Sequence, residues 1–187
     1  MASINTPIGM LSFPSIFQAK ATTFNAEPRF SASLIFDPAA QRTPEYAALK
    51  KAAFETGIAK WGADKMKDPN FIRTLRLPFR DAGEKEYAGY TEGHTFVQAW
   101  SKNRPGIVDA RLQDITVPDD VWPGQLARFD VSPFAYDVTG NKGIAFGLSA
   151  IQITKRDMPR LDGRRAANKA FGAVEEEGAE AMADPFA

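Results

Sequence analysis

The chain has 187 residues, 44% hydrophobic and 11% aromatic, which suffices for one sizeable core and falls short of two. The absence of cysteine excludes disulfide frameworks, thiolate metal sites and cysteine nucleophiles, and points to a cytoplasmic setting. The formal charge is zero, yet Glu175, Glu176, Glu177, Glu180 and Asp184 all follow Phe171 with no Lys or Arg among them; the part before them carries about +5, a mildly basic body joined to an acidic tail.

Met1 to Pro7 lack the basic and apolar regions of a signal peptide, and no apolar run approaches the roughly 20 residues of a membrane span, so a soluble protein without a membrane partner is expected. From Gly9 to Lys20 the residues alternate, with Leu11, Phe13, Ser15 and Phe17 on one face of an expected strand and Pro14 marking an edge or bulge. A second strand is expected over Phe30 to Phe36, closed by Asp37-Pro38.

At Thr43 the period changes. Tyr46, Leu49, Ala53, Ile58 and Trp61 recur at helical spacing behind Thr43 as N-cap and Pro44 in the first helical position, which predicts a helix over about 43–62 ending at Gly62, with Trp61 in the core. An irregular basic stretch follows (Arg73, Arg76, Arg80), then a polar loop with Gly83, Gly89 and Gly93 that is expected to be mobile. His94 to Trp100 reads as a strand with Phe96, Gln98 and Trp100 on one face, running into a turn that carries Lys102 and Arg104. The pattern then predicts a long hairpin, Leu126 to Val138 and Gly143 to Thr154, with Phe129 and Phe146 in the core. Phe134 and Tyr136 stay unassigned because Pro133 interrupts the alternation.

Strands, one long helix and more strands exclude an alternating parallel α/β architecture. The expected fold is mainly β: an OB-like antiparallel barrel of about five to seven strands with one main helix over residues 1–171, followed by a disordered acidic tail over 172–187.

Flexible single strands of nucleic acid present a π-face at every base and a regular phosphate charge, so a sequence-tolerant binder needs aromatic platforms interleaved with cations. This chain offers that mixture twice. Phe96 and Trp100 precede Lys102 and Arg104, and Phe13 and Phe17 precede Lys20, with Arg29 nearby. These are the candidate stacking and phosphate residues, joined by Arg76 and Arg111; each aromatic has core packing as its competing role, and Arg73 and Arg80 read as solvated surface. Catalytic chemistry is poorly supplied. There is no phosphate loop, nucleophile elbow or paired His-Glu helix, His94 at a strand entrance reads as structural, and neither a metal nor a cofactor is expected. Competing readings are a metal-dependent nuclease built on loop carboxylates such as Asp119 and Asp120, or a structural assembly protein. In the tail, Glu175, Glu176, Glu177 and Asp184 surround an apolar anchor, Phe186, a composition suited to recruiting a protein partner.

The stretch Leu77-Pro78-Phe79-Arg80-Asp81 with Gly83, the turn Lys102-Asn103-Arg104-Pro105-Gly106, and the turn Gly140-Asn141-Lys142-Gly143 leading into Gly147-Leu148 resemble a family of bacteriophage single-stranded DNA-binding proteins, related in fold to the T7-type phage protein. The similarity runs up to about Phe171. It implies an OB-fold core with a helix packed on it, sequence-independent binding of displaced strands, and a role in phage DNA replication, recombination or repair. Asp184-Pro185-Phe186 is similar to the acidic tip of bacterial single-stranded DNA-binding proteins, which docks replication enzymes, although Ala187 here follows the phenylalanine. The expected partners are therefore single-stranded DNA and, through the tail, replication or recombination proteins, with homo-oligomerisation left open.

Overall fold

The alternating segments pair into one sheet in the computed structural model, which describes residues 2–23, 25–164 and 171–174. Its strands are β1 (Ile4–Asn5), β2 (Gly9–Thr22), β3 (Asn25–Phe36), β4 (Arg80–Asp81), β5 (Thr95–Ser101), β6 (Gly106–Val108), β7 (Leu126–Val138) and β8 (Asn141–Lys155). Pairing runs from β7 to β2, β3, β5 and β8, and β8 pairs with β7 again, so these five strands close into a ring. β1 extends β7, β6 extends β8 and β4 pairs with β5. The ring matches the expected mainly β architecture, but not as a wholly antiparallel barrel: β5 and β6 both pair with β8 in parallel.

Ring closure hides one side of each of the five strands that form it. Leu11, Ile16, Leu34, Phe36, Val97, Ala99, Phe129, Val131, Phe146, Leu148, Ile151 and Ile153 all point inward and are almost completely buried, with Phe129 and Phe146 at their centre as expected. Helix α1 (Pro44–Trp61) lies against the same core through Tyr46, Leu49 and Ala53. Its ends follow the sequence signals. Thr43 accepts a hydrogen bond from the Tyr46 amide, Pro44 occupies the first turn, and Gly62, at φ 93°, takes a conformation that disfavours any side chain. Trp61 is only partly buried, packing edge-on against Phe71 while its Nε1 donates to Asp137.

Three features depart from the expected pattern. Two short helices, α2 (Ala63–Lys67) and α3 (Pro69–Ile72), fill part of the irregular basic stretch. The polar loop expected to be mobile is anchored along its length: Ala82 is buried, Gly89 packs against Leu161 and Met10, and the Gln41 amide donates to the Gly93 carbonyl at 2.9 Å. In β2 the simple alternation breaks. Phe13 has φ 44° at a register shift between Ser12 and Ser15, so Leu11 and Ile16 turn inward while Phe13 is left 55% exposed. The acidic tail residues Glu175, Glu176, Glu177, Asp184 and Phe186 lie outside the described residues.

Candidate nucleic-acid interface

The outer face of the ring is built by the strand residues that alternate with the core. Ser31 on β3 lies opposite Trp100 on β5, Trp100 opposite Gly147 on β8, and Gly147 opposite Ser132 on β7. The next step along the β7–β8 hairpin places Phe134 opposite Ala145 and Tyr136 opposite Gly143. Directly opposed residues share a face of the sheet, so the register alone gathers Trp100, Phe134 and Tyr136 above a floor of serine, alanine and glycine. The rings make a continuous row: Trp100 meets Phe134 edge-on at 5.5 Å between centroids, and Phe134 meets Tyr136 at 6.5 Å. All three are half-buried, accessible above the floor.

Cations border the row. The Arg29 guanidinium lies 3.7 Å from the centroid of the Trp100 ring, and the Asn25 amide, with its oxygen turned toward it, accepts from it at 2.6 to 2.9 Å. Lys20 is the cross-strand partner of Arg29. Like charges in directly opposed positions repel, and no carboxylate among the described residues forms an ion pair with either. At the other end Arg76 pairs in parallel with Gly143, its amide donating to the Lys142 carbonyl and its own carbonyl accepting from Ile144. A Cβ added at Gly143 would stand 2.7 Å from the Tyr136 hydroxyl and 2.9 Å from the Arg76 Cβ, which shows how closely those side chains converge there. Arg80, opposite Phe96 in the β4–β5 pairing and exposed, joins the same outer side.

The sequence-predicted residues therefore divide. Trp100, Arg29, Lys20 and Arg76 come together on this face. Phe96 is 6% exposed and packs with Ile35, Ala82 and Tyr90, so burial withholds its ring from any ligand; this corrects its reading as a platform. Phe17 packs partly on the core with the Arg104 guanidinium 5.1 Å from its ring centroid, a separate pair outside the aromatic row. Lys102 forms an exposed ion pair with Glu27 at 3.1 Å, of a kind that contributes little to stability and leaves the ammonium available. Arg111 sits in an exposed turn beyond β6, where Val108 pairs with Gln152. That pairing is five residues along β8 from Gly147, roughly 17 Å at strand rise, which separates Arg111 from the row. Phe13 stands apart, in a cluster with Tyr87 and Tyr90.

Phe134, Tyr136 and Arg80 were missed by the sequence reading. Pro133, counted there as an interruption, continues the strand with its ring buried inward opposite Phe146. No group of three or more His, Asp or Glu side chains suited to hold a metal occurs among the described residues. Asp119 and Asp120 lie in a short 3-10 turn, where the Asp120 carbonyl accepts from the buried Gln125 amide.

No curated protein sequence matches this chain. Among solved structures, the single-stranded DNA-binding protein of bacteriophage Enc34 in complex with ssDNA superposes with a TM-score of 0.69 at 16% identity, covering 84% of this chain and 89% of that one. A further structure of the single-stranded DNA-binding protein from bacteriophage Enc34 gives 0.67 at 17% identity, with 90% and 89% covered. The single-stranded DNA-binding protein gp2.5 of bacteriophage T7 gives 0.56 at 13% identity, with 89% and 98% covered. Identities this low establish a shared fold. The sequence profile of the family described as Enterobacter phage Enc34, ssDNA-binding protein, matches residues 4–182, nearly the whole chain, and on that match this chain belongs to the Enc34 phage ssDNA-binding protein family.

Proposed function

We propose that this protein binds single-stranded DNA without sequence preference in phage DNA replication, recombination or repair, and that bases stack along Trp100, Phe134 and Tyr136. The observation that carries the reading is the aromatic row over a glycine and serine floor, flanked at both ends by cations. Every base has a π-face, so such a row accepts any sequence, and the small floor residues leave room for flat rings. Lys20 and Arg29, opposed with no carboxylate among the described residues paired to either, receive phosphates. On binding, Arg29 is the movable part: its guanidinium swings to a phosphate and yields the indole face to a base. The chain acts as a binding protein, not a catalyst, and its acidic tail recruits replication or recombination proteins.

Intrinsic fluorescence tests this directly. Trp61 donates to Asp137 beside α1 and Trp122 donates to the Met158 carbonyl, both outside the row, so Trp100 is the tryptophan that DNA reaches. Adding oligo-dT should quench part of the emission in wild type, and Trp100→Phe should lose that quench while still binding. Equal quenching in the variant would show that the strand lies elsewhere. For the tail, deletion after Gly172 should abolish capture of replication proteins and strengthen DNA binding modestly; undiminished capture would refute recruitment.

A further inference from the structure

A second aromatic cluster lies on the outer side of the ring, beyond the buried Phe96. Phe13 meets Tyr87 at 5.0 Å and Tyr90 at 6.2 Å, Tyr87 meets Tyr90 at 5.6 Å, and Tyr90 rests on Phe96 at 5.1 Å between centroids. Phe13 and Tyr87 are each 55% exposed, so the cluster presents rings to solvent instead of adding to the core. Isolated exposed aromatics are ordinary, but a contiguous group of them marks a contact surface.

Backbone strain accompanies the exposure. Phe13 adopts φ 44°, a left-handed conformation that a bulky side chain rarely takes. Burial does not compensate for it, because the ring is more than half exposed. The packing partners of the ring are the tyrosines of the same exposed cluster, and strained residues gather at ligand-binding sites. The loop that supplies the tyrosines is held by Met10, Leu161 and Gln41, so the cluster is preformed.

We infer that Phe13, Tyr87 and Tyr90 form a second base-stacking station for the same DNA strand that occupies the Trp100 row. This rests on the DNA-binding reading and adds where the strand goes. Phe96, beneath Tyr90, and Trp100 are four residues apart on β5, so the stations are separated by roughly 13 Å. Between them the face carries Gln98, which is exposed, opposite Ser33, which is only 4% exposed, so the strand passes over Gln98. Arg80 borders this stretch. Glu84, Glu86 and Glu92 on the loop repel phosphates, so the station takes bases while the phosphates run on the Arg80 side. At about 3.4 Å per stacked nucleotide the gap spans up to about four nucleotides, so only longer strands engage both stations.

The test compares oligo-dT of about 4 and about 16 nucleotides, the limits of site size for one such fold, on the full chain and three variants. Phe13→Gly removes the ring and suits φ 44°, so it should fold at least as stably as wild type, and a thermal melt checks this. Phe13→Gly and Tyr87→Ala should each weaken the long oligonucleotide by about 5- to 150-fold. The short one should be little changed, and the salt dependence kept, because no phosphate contact is lost. Trp100→Ala should weaken both lengths. If Phe13→Gly and Tyr87→Ala bind the long strand as wild type does while Trp100→Ala is impaired, the station is refuted and the DNA reading stands. If Phe13→Gly alters only self-association, the cluster is a protein contact and the inference is wrong. If wild type binds neither length, both readings fall together.

Discussion

Replacing Trp100 by alanine isolates the stacking contribution from the charge contribution. A base stacked on an aromatic ring contributes about 1–3 kcal/mol. Against this stands the contact that Arg29 makes with the indole in the free protein, 3.7 Å from guanidinium carbon to ring centroid, which binding must release at a cost of about 0.5–1 kcal/mol. At the midpoints of these two ranges the net loss is about 1.3 kcal/mol, or about 8-fold in Kd. The variant should still fold, because Trp100 is only half-buried and the ring interior beneath it is filled by Val97 and Ala99. Arg29 remains free to meet phosphate, so the slope of log Kd against log salt should not change. Fluorescence anisotropy with labelled oligo-dT at several salt concentrations, with a thermal melt as the folding control, measures both quantities. A folded Trp100→Ala protein whose Kd stays within about twofold of wild type, near the limit of independent-site behaviour, would refute stacking at this residue.

Other changes should separate the remaining parts. Arg29→Ala should lower affinity and reduce the salt slope by about 0.7, the value for one phosphate on a single strand; an unchanged slope would mean that Arg29 serves only to hold the indole. At Gly147 an added Cβ meets only the Ser132 carbonyl, at 3.5 Å, so Gly147→Leu should fold normally and obstruct the floor beside Trp100; anisotropy should show weakened binding at every length, and normal binding would move the strand off this face. Phe129→Ala empties a fully buried position and should cost about 3–5 kcal/mol. Calorimetry should find a Tm lowered by about 6–20 °C, and a smaller shift would mean that the ring interior collapses around the gap.

Much of this architecture was legible because periodicity reports burial. The single long helix followed from Thr43, Pro44 and the spacing of Tyr46, Leu49 and Ala53, and the long hairpin from alternation on both arms. What escaped were features that periodicity does not encode. β1, β4 and β6 have only two or three residues each, too few for a pattern. The bulge at Phe13 shifts the register within β2, so extrapolated alternation put that residue on the face of Leu11. Pro133 looked like a break, yet beyond Val131 β7 pairs with β8 alone, and a strand with one free edge tolerates a missing amide proton. That misreading concealed Phe134 and Tyr136. Trp100 and Arg29 were both candidates, but their contact depends on pairing across β3 and β5, which sequence spacing does not supply. Phe96 was misjudged because the loop carrying Tyr90 folds back over it.

The central claim is that the aromatic row recognises the exposed faces of unpaired bases, which a duplex conceals within its own stack. Anisotropy titrations of labelled oligo-dT and of a length-matched duplex, each at low and at moderate salt, test it most directly. The account predicts tight binding of the single strand that weakens with salt, and much weaker binding of the duplex at both concentrations. Equal affinity for the two, or none for the single strand at low salt, would contradict it.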